Sequence, residues 1–138
     1  MPSLENINKN IPILVVDDFS SMRRIVGNCL RQLGFENITE AENADSAVEL
    51  AHSGEFKFVI SDWSLPEING ADLLNALRQQ ITTKEAPLLV IATEKERAQI
   101  TPLQESKVAS AVIVKPFTTA ILQKKMEEAL EGYGDVTP

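Results

Sequence analysis

Hydrophobic positions along this chain fall into short solid runs separated by stretches with helical spacing. The run "PILVV" at 12–16 is continuous and rich in β-branched residues, as a buried strand would be. In "SMRRIVGNCLRQL", residues Met22, Ile25, Val26, Cys29, Leu30 and Leu33 recur at helical spacing. Ser20 is the expected cap of that helix and Gly34 its stop. Residues 37–41, "NITEA", alternate polar and apolar, as an edge strand does. Helical patterns follow at Ala44–Ser53, stopped by Gly54, at 70–80, and at 118–132. Further strands are predicted at 57–61, Leu88–Ala92 and Ala111–Val114. The stretch 94–110 has the weakest pattern. Within it "TPLQ" reads as a helix start, with Thr101 as cap, Pro102 at the first helical position and Gln104 completing a capping box. A proline inside a helix removes a hydrogen bond, at a cost of roughly 3 kcal/mol or more, so a helix starting near Thr101, or kinked there, is expected.

Five strands alternating with helical patterns imply an α/β fold, a parallel sheet with five helices on its two faces. Three of the strands are near-solid Val, Ile, Leu and Phe, as strands buried on both faces are. Five strands suit the doubly wound, flavodoxin-like order 2-1-3-4-5, which makes the alternating second strand an edge.

Composition narrows the class. A chain of 138 residues suits one domain, expected at 11–132, between a flexible tail at 1–10 and a C-terminal tail at 133–138. The net charge of −7 argues against a general nucleic-acid binder. No apolar run is long enough to span a membrane, and "MPSLENINKN" lacks the pattern of a secretory signal. The single cysteine, Cys29, excludes an internal disulfide and fits a reducing, cytoplasmic setting. Its place on the apolar face of the first helix makes it a small core residue. His52, on a helix with no partner in the pattern, reads as an exposed polar residue, and "EKER" at 94–97 as a solvated face.

The chemistry is at the strand ends. In open α/β sheets ligands bind beyond the carboxyl ends of the strands, at the switch point between strands 1 and 3. Strand 1 ends in Asp17 and Asp18, strand 3 in Asp62, and strand 5 in Lys115. Two like charges about 4 Å apart repel by roughly 4 kcal/mol at an effective dielectric near 20. Such a cluster either holds a proton or binds a cation, and an all-oxygen set suits Mg²⁺. An acid at a helix start is common on its own account, but that does not explain Asp62 and Lys115 at matching strand ends. The arrangement suggests phosphoryl transfer to Asp62, with a cation and Lys115 neutralising the phosphoryl oxygens.

The segments "VVDDFSSMRRIV", "FVISDWSLPEINGADLL" and "IVKPFT" resemble the receiver domain of two-component response regulators, and most closely its single-domain chemotaxis type. The resemblance runs from about Ile11 to Glu131. It implies that Asp62 is the phosphoacceptor, that Asp18 ligates Mg²⁺ directly and Asp17 mainly through water, and that the Ser64 carbonyl is a further ligand. It implies that Lys115 contacts the phosphoryl group and that the Lys115–Pro116 bond is cis. Trp63 reads as a packing residue beside the site rather than a catalytic one. The resemblance also implies a monomeric signalling protein, not an enzyme, which catalyses only its own phosphorylation and dephosphorylation. The donor would be a sensor histidine kinase of the CheA type, and a phosphatase is a further possible partner. Neither nucleic acid nor membrane is implied.

The sequence departs from that pattern on the output side. The family's strand-4 hydroxyl falls on Ala92 by ungapped counting from Asp62, with Thr93 one residue later. Between Pro87 and Lys115 the chain carries one residue more than the chemotaxis pattern, so either Thr93 or Ala92 takes the switch position. The strand-5 aromatic is Val112, and Pro102 enters the fourth helix. Weak or absent binding to a flagellar motor switch is therefore expected. The alternative to motor regulation is a phosphate sink or a regulator of another partner. Unrelated α/β classes fit less well. A dehalogenase-type hydrolase would want D-x-D after strand 1, where this chain has Asp17-Asp18-Phe19, and a flavodoxin would want a phosphate loop rich in hydroxyls and glycine.

Overall fold

The structure, a computed structural model, describes residues 3–66, 68–80, 86–106 and 108–131. After a 3₁₀ turn at Leu4–Asn6 come β1 (Ile13–Val16), α1 (Ser20–Gln32), β2 (Ile38–Ala41), α2 (Ala44–Ser53) and β3 (Phe58–Asp62). Then follow α3 (Gly70–Arg78), β4 (Leu88–Ala92), α4 (Arg97–Glu105), β5 (Ala111–Val114) and α5 (Thr119–Ala129). The strands form one parallel sheet in the order β2-β1-β3-β4-β5, so the flavodoxin-like topology read from the sequence is the one found. The alternating strand β2 is an edge and is the least buried of the five.

Alternate residues of each strand point to opposite faces, and the solid apolar runs feed a core on each side. Ile13, Val15, Phe58, Ile60, Leu89, Ile91 and Ile113 pack with Val26 and Leu30 of α1 and Leu122 and Met126 of α5. Leu14, Val16, Val59, Val90, Ala92 and Val112 pack on the other side with Ala47 and Ala51 of α2, Leu73, Leu74 and Leu77 of α3, and Ile100 of α4.

Helix α1 stops where expected. Gly34 adopts φ +100, and the N–H groups of Gly34 and Phe35 donate to the carbonyls of Arg31 (3.0 Å) and Leu30 (2.9 Å). This is a Schellman stop, which favours glycine at the left-handed position.

Several expectations are corrected. Ser20 is the first helical residue of α1 rather than its cap. The turn into the helix is made by Asp17, whose Oδ1 accepts the N–H of Phe19 at 2.9 Å. Helix α4 begins at Arg97, not near Thr101, and runs through Pro102. Turns stacked from Thr93 onward start it, and buried Ile100 anchors it to the sheet. Thr101 is interior, and its hydroxyl donates back to the Arg97 carbonyl at 3.3 Å.

The segment ahead of β1 was expected to be a flexible tail, yet it is packed from Ser3 onward. Leu4, Ile7 and Ile11 are buried in the α1–α5 core. The Leu4 N–H donates to Glu127 Oε2 at 3.0 Å, and Lys9 Nζ donates to the Leu4 carbonyl while lying over the Phe35 ring. The three apolar side chains recur at spacings of three and four residues, which gives the segment one face to bury. Gly132, expected to end the last helix, and the tail at 133–138 lie outside the described residues.

Candidate functional site

Parallel register brings the strand ends to one rim. Val16 pairs with Ser61, so the residues that follow, Asp17 and Asp62, emerge side by side from β1 and β3. Asp62 pairs with Ile91, and the Trp63 N–H continues the ladder to the Ile91 carbonyl at 2.8 Å. Beyond β5, the Lys115 N–H donates to the Ala92 carbonyl at 2.9 Å. The Lys115–Pro116 bond is cis, as the resemblance implied.

Asp17 is held from its backbone. The Asp17 N–H donates to the Ala41 carbonyl at 3.1 Å, and its own carbonyl accepts from Arg23 Nη1 at 2.6 Å. Arg23 Nε in turn pairs with Glu40 Oε1 at 2.9 Å, tying α1 to β2 across the Asp17 main chain. Asp17 and Asp62 are each only 1% exposed, and Asp18 is half-buried.

One carboxylate oxygen from each of Asp17, Asp18 and Asp62 lies within 4.8 Å of the others. Lys115 Nζ is 3.4 Å from Asp62 Oδ1, an ion-pair distance without hydrogen-bond alignment. Asp17 Oδ2, Asp18 Oδ1 and Asp62 Oδ1 are buried oxygens with no hydrogen-bond donor among the described residues. Unsatisfied buried acceptors of this kind are costly, and three converging on one point have the donor chemistry a hard divalent cation takes. The residues therefore fit Mg²⁺, which would be held by Asp17, Asp18 and Asp62.

The electrostatics agree. Burial pushes the Asp62 carboxyl up to about 6; the Asp17 charge adds to this, Lys115 opposes it, and Glu96 raises it further. Burial also raises Asp17, against the Phe19 hydrogen bond and Lys115. An incoming cation offsets both the burial of these carboxylates and their mutual repulsion.

The structure thus brings together Asp17, Asp18, Asp62 and Lys115 of the residues expected from sequence. Ser64 is exposed, two residues beyond Asp62. Ala92 is buried at the end of β4, opposite Val114. Thr93 is exposed, and its hydroxyl accepts the Glu96 N–H at 3.3 Å. Val112 is buried on the face that carries Val90 and Ile100, and Pro102 lies within α4, remote in sequence from the acids.

Sequence reading missed Arg23 and Glu96. Arg23 gave no signal beyond its place in the first turns of α1. Glu96 completes a T-x-x-E pattern with Thr93, a capping-box signature that could have been read.

A family model described as the response regulator receiver domain matches residues 13–127. The chain belongs to the response regulator receiver family. Among relatives, the chemotaxis protein CheY-3 of Vibrio cholerae serotype O1 is 45% identical over 125 residues, covering 91% of this chain and 95% of that one. The chemotaxis protein CheY of Pseudomonas aeruginosa is 44% identical over 119 residues, covering 86% and 95%. Among solved structures, chemotaxis protein CheY4 of Vibrio cholerae matches with a TM-score of 0.78 at 29% identity, covering 88% of this chain and 99% of that one. The response regulator TrrA of Thermotoga maritima, in complex with Mg²⁺–BeF, matches with a TM-score of 0.73 at 29% identity, covering 87% and 99%. Receivers of this family are signalling proteins that take a phosphoryl group from a histidine kinase. None of the described helices is long and apolar enough to cross a membrane.

Proposed function

We propose that this chain is a chemotaxis-type response regulator whose Asp62 accepts a phosphoryl group from a sensor histidine kinase of the CheA type, in a Mg²⁺-dependent reaction. The observation that carries this reading is the set of three donorless buried oxygens, on Asp17, Asp18 and Asp62, with Lys115 Nζ beside Asp62. The likeness to a regulator solved with Mg²⁺–BeF supports it.

In the reaction, a carboxylate oxygen of Asp62 attacks the phosphorus of the donor phosphohistidine. The P–N bond breaks, a P–O bond forms, and an acyl phosphate remains. Lys115 supplies positive charge where the phosphoryl oxygens gain negative charge. Asp17, fixed through its backbone by Arg23 and Ala41, holds the acidic face of the cation site in place. Asp17, Asp18, Asp62 and the Ser64 carbonyl would hold Mg²⁺, which would supply the remaining charge neutralisation between an anionic donor and an anionic nucleophile.

Incubation with phosphoramidate and Mg²⁺ should add one acid-stable, base-labile phosphoryl group, seen as a single mass increment. Equal labelling of Asp62→Asn would move the acceptor elsewhere.

A second reading, a phosphate sink or a regulator of a partner other than the motor, is favoured by one observation. The side chains on the path from the rim to α4 are Ala92 and Val112, which have neither a hydroxyl nor a ring.

A further inference from the structure

A cation in the first turn of a helix is opposed by the helix dipole, yet Arg23 stands in the first turn of α1. Its side chain is only 14% exposed, whereas the neighbouring Arg24 is exposed. The planar guanidinium is divided between two acceptors. Its Nε pairs with Glu40 Oε1 on the edge strand β2 at 2.9 Å, and its Nη1 donates to the Asp17 carbonyl at 2.6 Å.

That carbonyl belongs to the peptide unit that joins Asp17 to Asp18. Strand β1 ends at Val16, and the bonds of α1 begin at the Phe19 carbonyl, which accepts the Arg23 N–H at 3.1 Å. The unit between the two acids therefore lies past the strand and ahead of the helix. A peptide unit is planar, so pinning its carbonyl sets the backbone directions from which both side chains leave. The other bonds of Asp17, from its N–H to Ala41 and from the Phe19 N–H to its Oδ1, fix that residue alone. The Arg23 bond relates the two acids to each other. Asp17 Oδ2 and Asp18 Oδ1, the oxygens left over, are buried and without a donor among the described residues.

We propose that Arg23, braced by Glu40, is a positioning residue for the cation site: it fixes the peptide unit between Asp17 and Asp18 so that both carboxylates face one divalent ion. The proposal rests on the reading of Asp17, Asp18 and Asp62 as the Mg²⁺ site. Arg23 touches neither metal nor donor. Its positive charge repels a cation, so its field and its positioning act on Mg²⁺ affinity with opposite signs. A lysine ammonium is a point charge without the planar fork, and it does not hold both acceptors in the same geometry.

The test uses the full chain, with Mg²⁺ affinity read from Trp63 emission and from calorimetry, and the melting temperature measured without divalent ions. Arg23→Lys keeps the charge and loses the fork. It should bind Mg²⁺ about tenfold more weakly, the lower end of what losing a partner behind a metal ligand costs. Arg23→Ala should also bind more weakly, although a repelling charge has gone. Glu40→Ala should weaken binding about threefold, the size of one part-exposed ion pair. In the Arg23→Ala background it should change nothing further, because a brace acts only while the arginine is present. Arg24→Ala should match wild type.

Tighter Mg²⁺ binding by Arg23→Ala would overturn the proposal, because charge alone would then describe the residue. Wild-type affinity in Arg23→Lys would do the same, as would a lower melting temperature with unchanged affinity, the mark of a purely structural bond. Fully additive effects of Arg23→Ala and Glu40→Ala would overturn the brace. Asp18→Ala separates the positioning role from the reading beneath it. If that variant binds Mg²⁺ as wild type does, the cation site lies elsewhere and the proposal falls with it. If it loses binding while Arg23→Lys keeps it, the site stands and the positioning role alone falls.

Discussion

Trp63 and Gly70 approach so closely that a Cβ on Gly70 would lie 2.5 Å from Trp63 Cδ2 and 2.6 Å from the Trp63 carbonyl oxygen. The indole is thereby pressed against the first turn of α3, one residue after Asp62. Backbone is among the atoms that would clash, so a rotamer change cannot relieve the whole overlap. Gly70→Ala should lower stability by about 1–3 kcal/mol, the usual range for overpacking a close contact. Urea unfolding together with the Trp63 emission spectrum tests this; a variant with wild-type midpoint and spectrum would rule out the close packing.

Burial of Asp62 makes a pH prediction with a definite sign. Its folded carboxyl titrates at about 6 against an ordinary value of 3.8. The folded state therefore binds more protons than the unfolded state between those values, and stability falls as pH rises through that window. Well above pH 6 the full penalty applies, about 3 kcal/mol with the opposing Lys115 contact already counted. Without divalent ions, Asp62→Asn should be more stable than wild type at pH 7.5. Its advantage should shrink below pH 6 and vanish near pH 4. A difference between the two proteins that stays constant from pH 4.5 to 8 would contradict the burial argument.

Mg²⁺ should reverse that penalty. Saturation at 100 times Kd adds about 2.7 kcal/mol by mass action alone. The gain should be larger at pH 7.5 than at pH 5, because protons compete with the metal for Asp17 and Asp62. Trp63 adjoins the acids and is the only tryptophan, so its emission should shift on titration with Mg²⁺. Asp18→Ala removes one of the three converging oxygens and should abolish both responses. An unchanged titration in that variant would locate the ion elsewhere.

These predictions draw on features that were unequally legible in the sequence. The sheet was readable because solid apolar runs and one alternating strand, β2, report which strands are covered on both faces. Asp17, Asp18, Asp62 and Lys115 were readable because strand-end acids need only the topology to meet. What the sequence hid depends on competition between local bonds. Ser20 has the composition of a cap, but the Asp17 carboxylate reaches the Phe19 N–H and starts α1 without it. Thr101 and Pro102 match a helix start, yet the Thr93–Glu96 box begins the turns earlier and burial of Ile100 carries the helix through the proline. Leu4, Ile7 and Ile11 lie in a polar-looking stretch, and only the tertiary core gives them somewhere to go.

The last prediction concerns output. A phosphoryl group shifts a two-state element only through contacts that differ between the states. In the chemotaxis pattern that this chain resembles, the contact runs through a strand-4 hydroxyl to a strand-5 ring that swings inward. Here Ala92 is buried at the end of β4 and has no hydroxyl to offer. Thr93 lies beyond the strand end, exposed, with its hydroxyl oxygen tied into the turn by the Glu96 N–H. Val112 is buried under α4 with no ring to move, and its β-branched side chain has one strongly restricted torsion. Pro102 replaces a backbone donor within α4 itself. Binding to a flagellar motor-switch peptide should therefore be weak or absent, and little changed by beryllofluoride. Calorimetry with and without that mimic provides the measurement. Micromolar binding that tightens tenfold or more, about 1.4 kcal/mol of coupling, would restore the plain motor-regulator reading. If Val112→Tyr gains binding, the missing ring is the cause; if it does not, the altered α4 and the hydroxyl held by Glu96 are.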